Sequence, residues 1–199
     1  MLTSEQQKHK PKQSKIRYTE YYDLQSTFDG LYADSLNGKT FQSLMNLIAS
    51  EENIKLAYRT IKGNKGSGTP GVDKRTIKDL ATLREEQFVQ LIQKQFSWYT
   101  PRPVKRVEIP KPNGKTRPLG IPTIVDRMVQ QCILQVLEPI CEAKFHERSN
   151  GFRPNRSTEH AIAQCCRLMQ IQHLHYAVDI DIHGFFDNVN HGKLIRQMW

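Results

Sequence analysis

Asp179 and Asp181 stand two residues apart in Tyr176-Ala177-Val178-Asp179-Ile180-Asp181-Ile182-His183, where apolar residues alternate with more polar ones. That period of two predicts a short, half-buried strand with both carboxylates on one face. A pair of carboxylates at a strand end suits a hard divalent cation such as Mg²⁺, which takes carboxylate and phosphate oxygens. In phosphoryl transfer such an ion stabilises the attacking and leaving oxygens. The same residues also describe the solvated face of an edge strand that binds nothing. The following Gly184-Phe185-Phe186-Asp187-Asn188 favours a site, because two adjacent aromatics are poorly placed for a simple surface turn. A helix start is expected near His191.

A second set of residues is cationic. Val104 to Ile109 and Thr116 to Ile121 read as extended runs around Pro110-Lys111-Pro112-Asn113-Gly114-Lys115. Asn-Gly between two such runs predicts a hairpin over 103–121, and its prolines predict an exposed edge or finger. Lys111, Lys115 and Arg117 crowd the tip. Charge-assisted bonds from such groups would grip a triphosphate, with Arg able to bind two oxygens at once. A solvated hairpin with ordinary surface charge fits the same residues.

These two sets need elements to hold them, and 199 residues with 38% hydrophobic content allow a buried core. The net charge is +9, and its distribution is uneven. Residues 55–117 carry 15 Lys and Arg against 5 Asp and Glu, whereas the rest of the chain is close to balanced. Such a stretch points to nucleic acid, whose affinity for proteins comes largely from charge neutralisation. Cys132, Cys141, Cys165 and Cys166 form no Cys-x-x-Cys pair, so they are expected to be buried thiols rather than zinc ligands. No signal peptide or apolar run of membrane-spanning length occurs, so a cytoplasmic protein without a membrane partner is expected.

Residues 1–17 are polar and basic and are expected to form a disordered tail. Thr40 is expected to cap a helix carrying Phe41, Leu44, Leu47 and Ile48, and Ser50 to cap one carrying Ile54, Leu56, Ala57 and Ile61. Gly63 to Asp73 is rich in glycine but has no Walker pattern, so composition predicts a turn and no nucleotide cradle. One long amphipathic helix is expected from Thr76 to about Tyr99, with Trp98 and Tyr99 packed at its end. Thr123 and Ser157 are expected to cap two further helices, the first with a core stripe from Ile124 to Ile140.

Four stretches, in order, resemble a known family. Asn64-Lys65-Gly66 with Pro70-Gly71-Val72-Asp73, Arg106 to Thr123, Gly151-Phe152-Arg153-Pro154-Asn155-Arg156-Ser157, and Asp181-Ile182-His183-Gly184-Phe185-Phe186-Asp187 are similar to motifs of group II intron reverse transcriptases/maturases. No one of them would suffice. The resemblance implies an α+β fold: helix-rich right-hand polymerase fingers with the beginning of a palm sheet. It divides the chain into a helical N-terminal extension at 18–75, fingers at 76–170, and the start of the palm at 171–199.

It also implies roles. Asp181 would be a catalytic, metal-binding aspartate, with the Ile182 carbonyl as a further ligand of Mg²⁺. Lys111 and Arg117 would hold the incoming dNTP. Phe186 would lie under its sugar and exclude a ribose 2′-hydroxyl, so that Ile182 and Phe186 border the nucleotide. Asn64, Lys65, Arg153 and Arg156 would contact RNA, although a structural role for either arginine stands beside that reading. Partners would be template and intron RNA, a DNA primer and dNTPs, with homodimerisation left open. The family's Tyr-x-Asp-Asp tetrapeptide does not occur in these 199 residues. A truncated enzyme, an N-terminal part inactive in polymerisation by itself, is therefore expected. The other readings are a non-catalytic RNA-binding splicing module and a retron- or defence-type reverse transcriptase.

Overall fold

The computed structural model describes residues 18–112 and 114–198. The expected tail at 1–17 and Asn113 lie outside the described residues. The chain divides into two compact units, Met1–Phe145 and His146–Trp199.

The first unit is helical. Its order is α1 (Tyr18–Tyr21), α2 (Gln25–Leu36), α3 (Leu44–Ile48), α4 (Glu51–Gly63), α5 (Ile77–Leu80), α6 (Glu85–Ser97), the strands β1 (Lys105–Pro110) and β2 (Thr116–Ile121), and α7 (Ile124–Glu142). Helix α7 is the hub, packed by α2, α3, α4 and α6. Its Ile124, Met128, Cys132 and Val136 recur at helical spacing and bury against Ile54, Ala57 and Ile61 of α4 and Phe88 and Ile92 of α6. Thr123 starts α7 by accepting a hydrogen bond from the Asp126 amide, and Ser50 does the same for α4 from the Asn53 amide, as the sequence predicts.

Polar groups inside this core are paired. The Asn53 side-chain amide donates to the carbonyls of Ile48 (2.9 Å) and Cys132 (3.0 Å), while its oxygen accepts from Gln135 (2.7 Å). Ser35, fully buried, donates to the Ile140 carbonyl at 2.8 Å. That carbonyl lies in the last turn of α7, where no intrahelical N–H reaches it.

Several expectations are corrected here. The helix assigned to Thr40 begins at Leu44, after Ser43 in a left-handed conformation (φ 58°). The long helix from Thr76 is two helices. Asp79 accepts from the Thr76 amide (2.6 Å) as the capping box that starts α5. At the other end Thr82 donates its hydroxyl to the Asp79 carbonyl and the Leu83 amide donates to the Leu80 carbonyl, so α5 stops after one turn. Trp98 is not packed at a helix end but 86% exposed. Of the cysteines only Cys132 is buried; Cys141, Cys165 and Cys166 are exposed.

The second unit contains α8 (Thr158–Gln170), a 3₁₀ turn at Phe186–Asn188, and α9 (His191–Met198). Ser157 caps α8 through the His160 amide, and the His160 ring accepts from the Ser157 amide in return. The strand expected over 176–183 is absent. A strand needs a neighbour for its N–H and C=O groups, and the only sheet among the described residues is β1–β2. The alternation is not expressed in burial: every residue from 176 to 183 is exposed, Tyr176 at 94% and Ile180 at 83%. The chain is thus helix-rich with one antiparallel hairpin, and no palm sheet is formed among the described residues. No described helix is long and apolar enough to cross a membrane.

Candidate nucleotide and nucleic-acid interface

The hairpin is positioned by its register. Strands β1 and β2 pair antiparallel from Lys105 opposite Ile121 to Pro110 opposite Thr116. The ladder continues past β1, where the Lys111 amide donates to the Lys115 carbonyl at 2.7 Å. Gly114, at φ 76°, turns the chain back, a conformation that costs glycine little. Because side chains alternate along each strand, one face carries Lys105, Val107, Ile109 and Lys111 with Lys115, Arg117, Leu119 and Ile121. The other carries Arg106 and Glu108 with Thr116 and Pro118. Ile109 pairs with Arg117, so Lys111 and Arg117 are diagonal neighbours, with Cα atoms about 7–8 Å apart. The structure therefore brings the two predicted triphosphate residues together on one exposed face, with Lys115 beside them.

The root of this hairpin is bolted to the glycine-rich loop. Arg127, in the first turn of α7, donates through Nε to the Pro122 carbonyl (3.2 Å), through Nη1 to Gly66 (2.9 Å) and through Nη2 to Thr69. Gly71 is buried against the same corner, where a Cβ would lie 2.8 Å from Thr123 Cα and 2.9 Å from the Pro122 oxygen. Asp73 places one buried oxygen 3.7 Å from Arg102, just before β1. The loop that composition marks as a plain turn is therefore a 3₁₀ turn, Lys65–Gly68, held at both strands' roots. Asn64 and Lys65 are exposed on it. Asn64 also borders a hollow of about 290 Å³ with Gly66, Ser67, Arg127, Gln130 and Gln131.

Asp126 completes the corner. Its carboxylate is buried and accepts from the Thr123 hydroxyl (2.6 Å) and the Tyr99 hydroxyl (2.9 Å). Burial, then the hydrogen bond to Asp126, pushes the Tyr99 phenol up to about 12. Nothing local in the sequence marks Arg127 as the loop's anchor. Its partners Gly66 and Thr69 lie 61 and 58 residues away.

In the second unit, Asp181 is exposed, and one of its oxygens accepts from the Ile182 amide at 2.9 Å. Gly184 (φ 59°) turns the chain, and Asn188 latches that turn by donating its side-chain amide to the Gly184 carbonyl at 2.8 Å. Phe185 and Phe186 then stand edge to face with centroids 5.4 Å apart, Phe186 being 89% exposed. Asp181 and the Ile182 carbonyl supply only two oxygen donors. The described residues contain no cluster of three or more His, Cys, Asp or Glu that could hold a metal, and Mg²⁺ demands near-octahedral coordination. Two donors do not by themselves make a site for the ion. The arginines of 151–157 separate: Arg153 donates to the carbonyls of His146 (2.8 Å) and Ser149 (2.9 Å), while Arg156 makes no side-chain hydrogen bond or ion pair among the described residues.

Comparisons with known proteins bear on the family. Residues 109–199 match the family model described as reverse transcriptase (RNA-dependent DNA polymerase). Protein YkfC of Escherichia coli (strain K12) is 38% identical over 164 residues, 78% of this chain and 42% of its own length. The group II intron-encoded protein LtrA of Lactococcus lactis subsp. cremoris is 36% identical over 160 residues, 79% of this chain and 26% of its own. The putative COX1/OXI3 intron 1 protein of Saccharomyces cerevisiae is 27% identical over 86% of this chain and 20% of its own length. The chain thus spans less than half the length of these curated relatives. It is a reverse-transcriptase-family chain, homologous over 79% of its length to a group II intron-encoded protein.

Proposed function

We propose that this chain supplies the nucleotide-gripping fingers and the first part of the palm of a group II intron reverse transcriptase/maturase. In this reading 18–75 is the N-terminal extension, 76–170 the fingers and 171–199 the palm start. Lys111 and Arg117 bind the triphosphate of a dNTP. Phe186 borders its sugar and rejects a ribose 2′-hydroxyl. Asn64, Lys65 and Arg156 contact RNA phosphates. Arg153, occupied by its own loop's carbonyls, orders that loop instead. Asp181 and the Ile182 carbonyl contribute oxygen ligands to Mg²⁺, which in the complete enzyme would polarise the reacting phosphate. Without Tyr-x-Asp-Asp in these 199 residues, binding rather than polymerisation is expected of the chain by itself.

The observation that carries the reading is the hairpin register, which sets Lys111, Lys115 and Arg117 on one exposed face. A fluorescent dNTP titrated into the chain tests it. Lys111→Ala and Arg117→Ala should each weaken binding about tenfold, the scale of one charged hydrogen bond. Unchanged affinity in the double variant would remove the triphosphate assignment. RNA binding that persists while no dNTP binds would favour a splicing module without nucleotide chemistry, a reading supported by the basic charge concentrated in residues 55–117.

A further inference from the structure

The second unit holds a hollow of about 400 Å³ lined by Glu147, Arg148, Arg156, Gln164, Arg167 and Leu168, with Gln172 at its edge. Its three arginines come from three separate places: the loop after α7, the turn before α8, and the last turn of α8. None makes a side-chain hydrogen bond or ion pair among the described residues. Some cations elsewhere in the chain are engaged instead. Lys55 reaches both Glu51 and Glu85, Arg127 spends its fork on three carbonyls, and Arg153 spends Nη1 on two.

The loop that presents these arginines is built. Asn150 donates its side-chain amide to the Arg148 carbonyl and to the Gln164 side chain, both at 3.1 Å, which ties Arg148 to the flank of α8. The Arg148 amide donates to the His146 ring at 3.2 Å. Arg153 closes the same loop through the His146 and Ser149 carbonyls, and the Arg156 amide donates to the Arg153 carbonyl at 3.4 Å. Ordered backbone thus delivers three guanidinium groups to one concavity that holds a single carboxylate, Glu147. Like charges gathered this way repel unless an anion sits among them. Guanidinium forks match phosphate oxygens in geometry as well as charge, and the two glutamines add neutral donors.

We propose that Arg148, Arg156 and Arg167 form a phosphate-binding pocket for the backbone of a single RNA strand. This rests on the RNA-binding reading above and extends it to Arg148 and Arg167, which no family motif marks.

The test is fluorescence anisotropy of a labelled single-stranded RNA with the 199-residue chain across a salt series. Each phosphate contact to a single strand contributes about 0.7 to the slope of log affinity against log salt. Arg148→Gln with Arg167→Gln should therefore flatten the slope by about 1.4 and weaken binding at least tenfold at low salt. Lys193→Gln with Arg196→Gln removes the same charge from α9, outside the pocket, and should change the slope by less than half as much. Equal effects from the two pairs would reduce the pocket to general basicity and overturn the proposal. An unchanged slope in the pocket pair, with Lys111→Ala/Arg117→Ala weakening RNA, would also overturn it and leave the RNA reading standing. No effect from any pair would overturn both. Far-ultraviolet circular dichroism of each variant confirms that the exposed substitutions leave the fold intact, and Arg148→Lys with Arg167→Lys should restore most of the slope because charge is retained.

Discussion

The root of the β1–β2 hairpin and the acidic stretch before Gly184 each present charged groups beside apolar ones, yet they are held in different ways. At the root, Thr123, Asp126 and Arg127 sit in the first turn of a helix whose inner face is fully buried. All three side chains have partners, some local and others from distant segments: Tyr99 on Asp126, and Gly66 and Thr69 on Arg127. At 176–182 the apolar residues are exposed, and among the described residues Asp181 is bonded to the next residue's amide alone. The difference teaches where positioning comes from. A side chain is fixed in space when its own backbone is already satisfied and its apolar neighbours are covered. The helical root achieves this within its own unit, whereas an alternating strand requires another strand.

The comparison can be broken by substitution. Met128→Ala, at a site with no exposure, should destabilise the chain by about 2–5 kcal/mol in urea unfolding. Gly71→Ala should cost about 1–3 kcal/mol, because the new methyl group meets backbone rather than a flexible side chain. Ile180→Ser, at 83% exposure, should change stability by less than about 0.5 kcal/mol. A cost at Ile180 as large as that at Met128 would show the acidic stretch packed as well as the root.

A pH titration sharpens the same contrast. Tyr99 is raised to about 12, above the unfolded value of about 10. Its contribution to stability is therefore complete below about pH 10 and is lost as pH rises towards 12. Asp126→Asn should bring the tyrosinate transition of Tyr99 down, and Tyr99→Phe should remove the pH dependence of stability in that window. The smallest effect is chemical. A thiol reagent should modify Cys141, Cys165 and Cys166 in the native chain but spare Cys132, whose burial pushes its thiol up to about 12.

Local signals read well from the sequence. Ser50, Thr123 and Ser157 cap helices because a hydroxyl before an apolar-periodic run needs only its nearest neighbours to act. The hairpin was legible for the same reason, since Asn-Gly and the flanking alternation are local. What was illegible depends on distance. Arg127 looks like any polar-face residue until the chain returns Gly66 and Thr69 to it. The break between α5 and α6 falls where the Thr82 hydroxyl and the Leu83 amide bond the carbonyls of Asp79 and Leu80, a turn hidden inside a continuous apolar periodicity. The 176–183 alternation predicts a strand that the structure does not form, because a pattern does not supply the neighbour. Of the candidate site, the hairpin pair emerged on one face, Arg153 parted from Arg156, which is unpaired among the described residues, and Asp181 emerged with no cluster of three or more His, Cys, Asp or Glu among the described residues.

Amide hydrogen exchange along the native chain tests the central claim most directly. The account predicts slow exchange through the interior of α7 and slowed exchange at 66–71, where Arg127 and Gly71 hold the loop. It predicts exchange near the unprotected rate from 176 to 182. Protected amides alternating along 176–182, as in a paired strand, would contradict it.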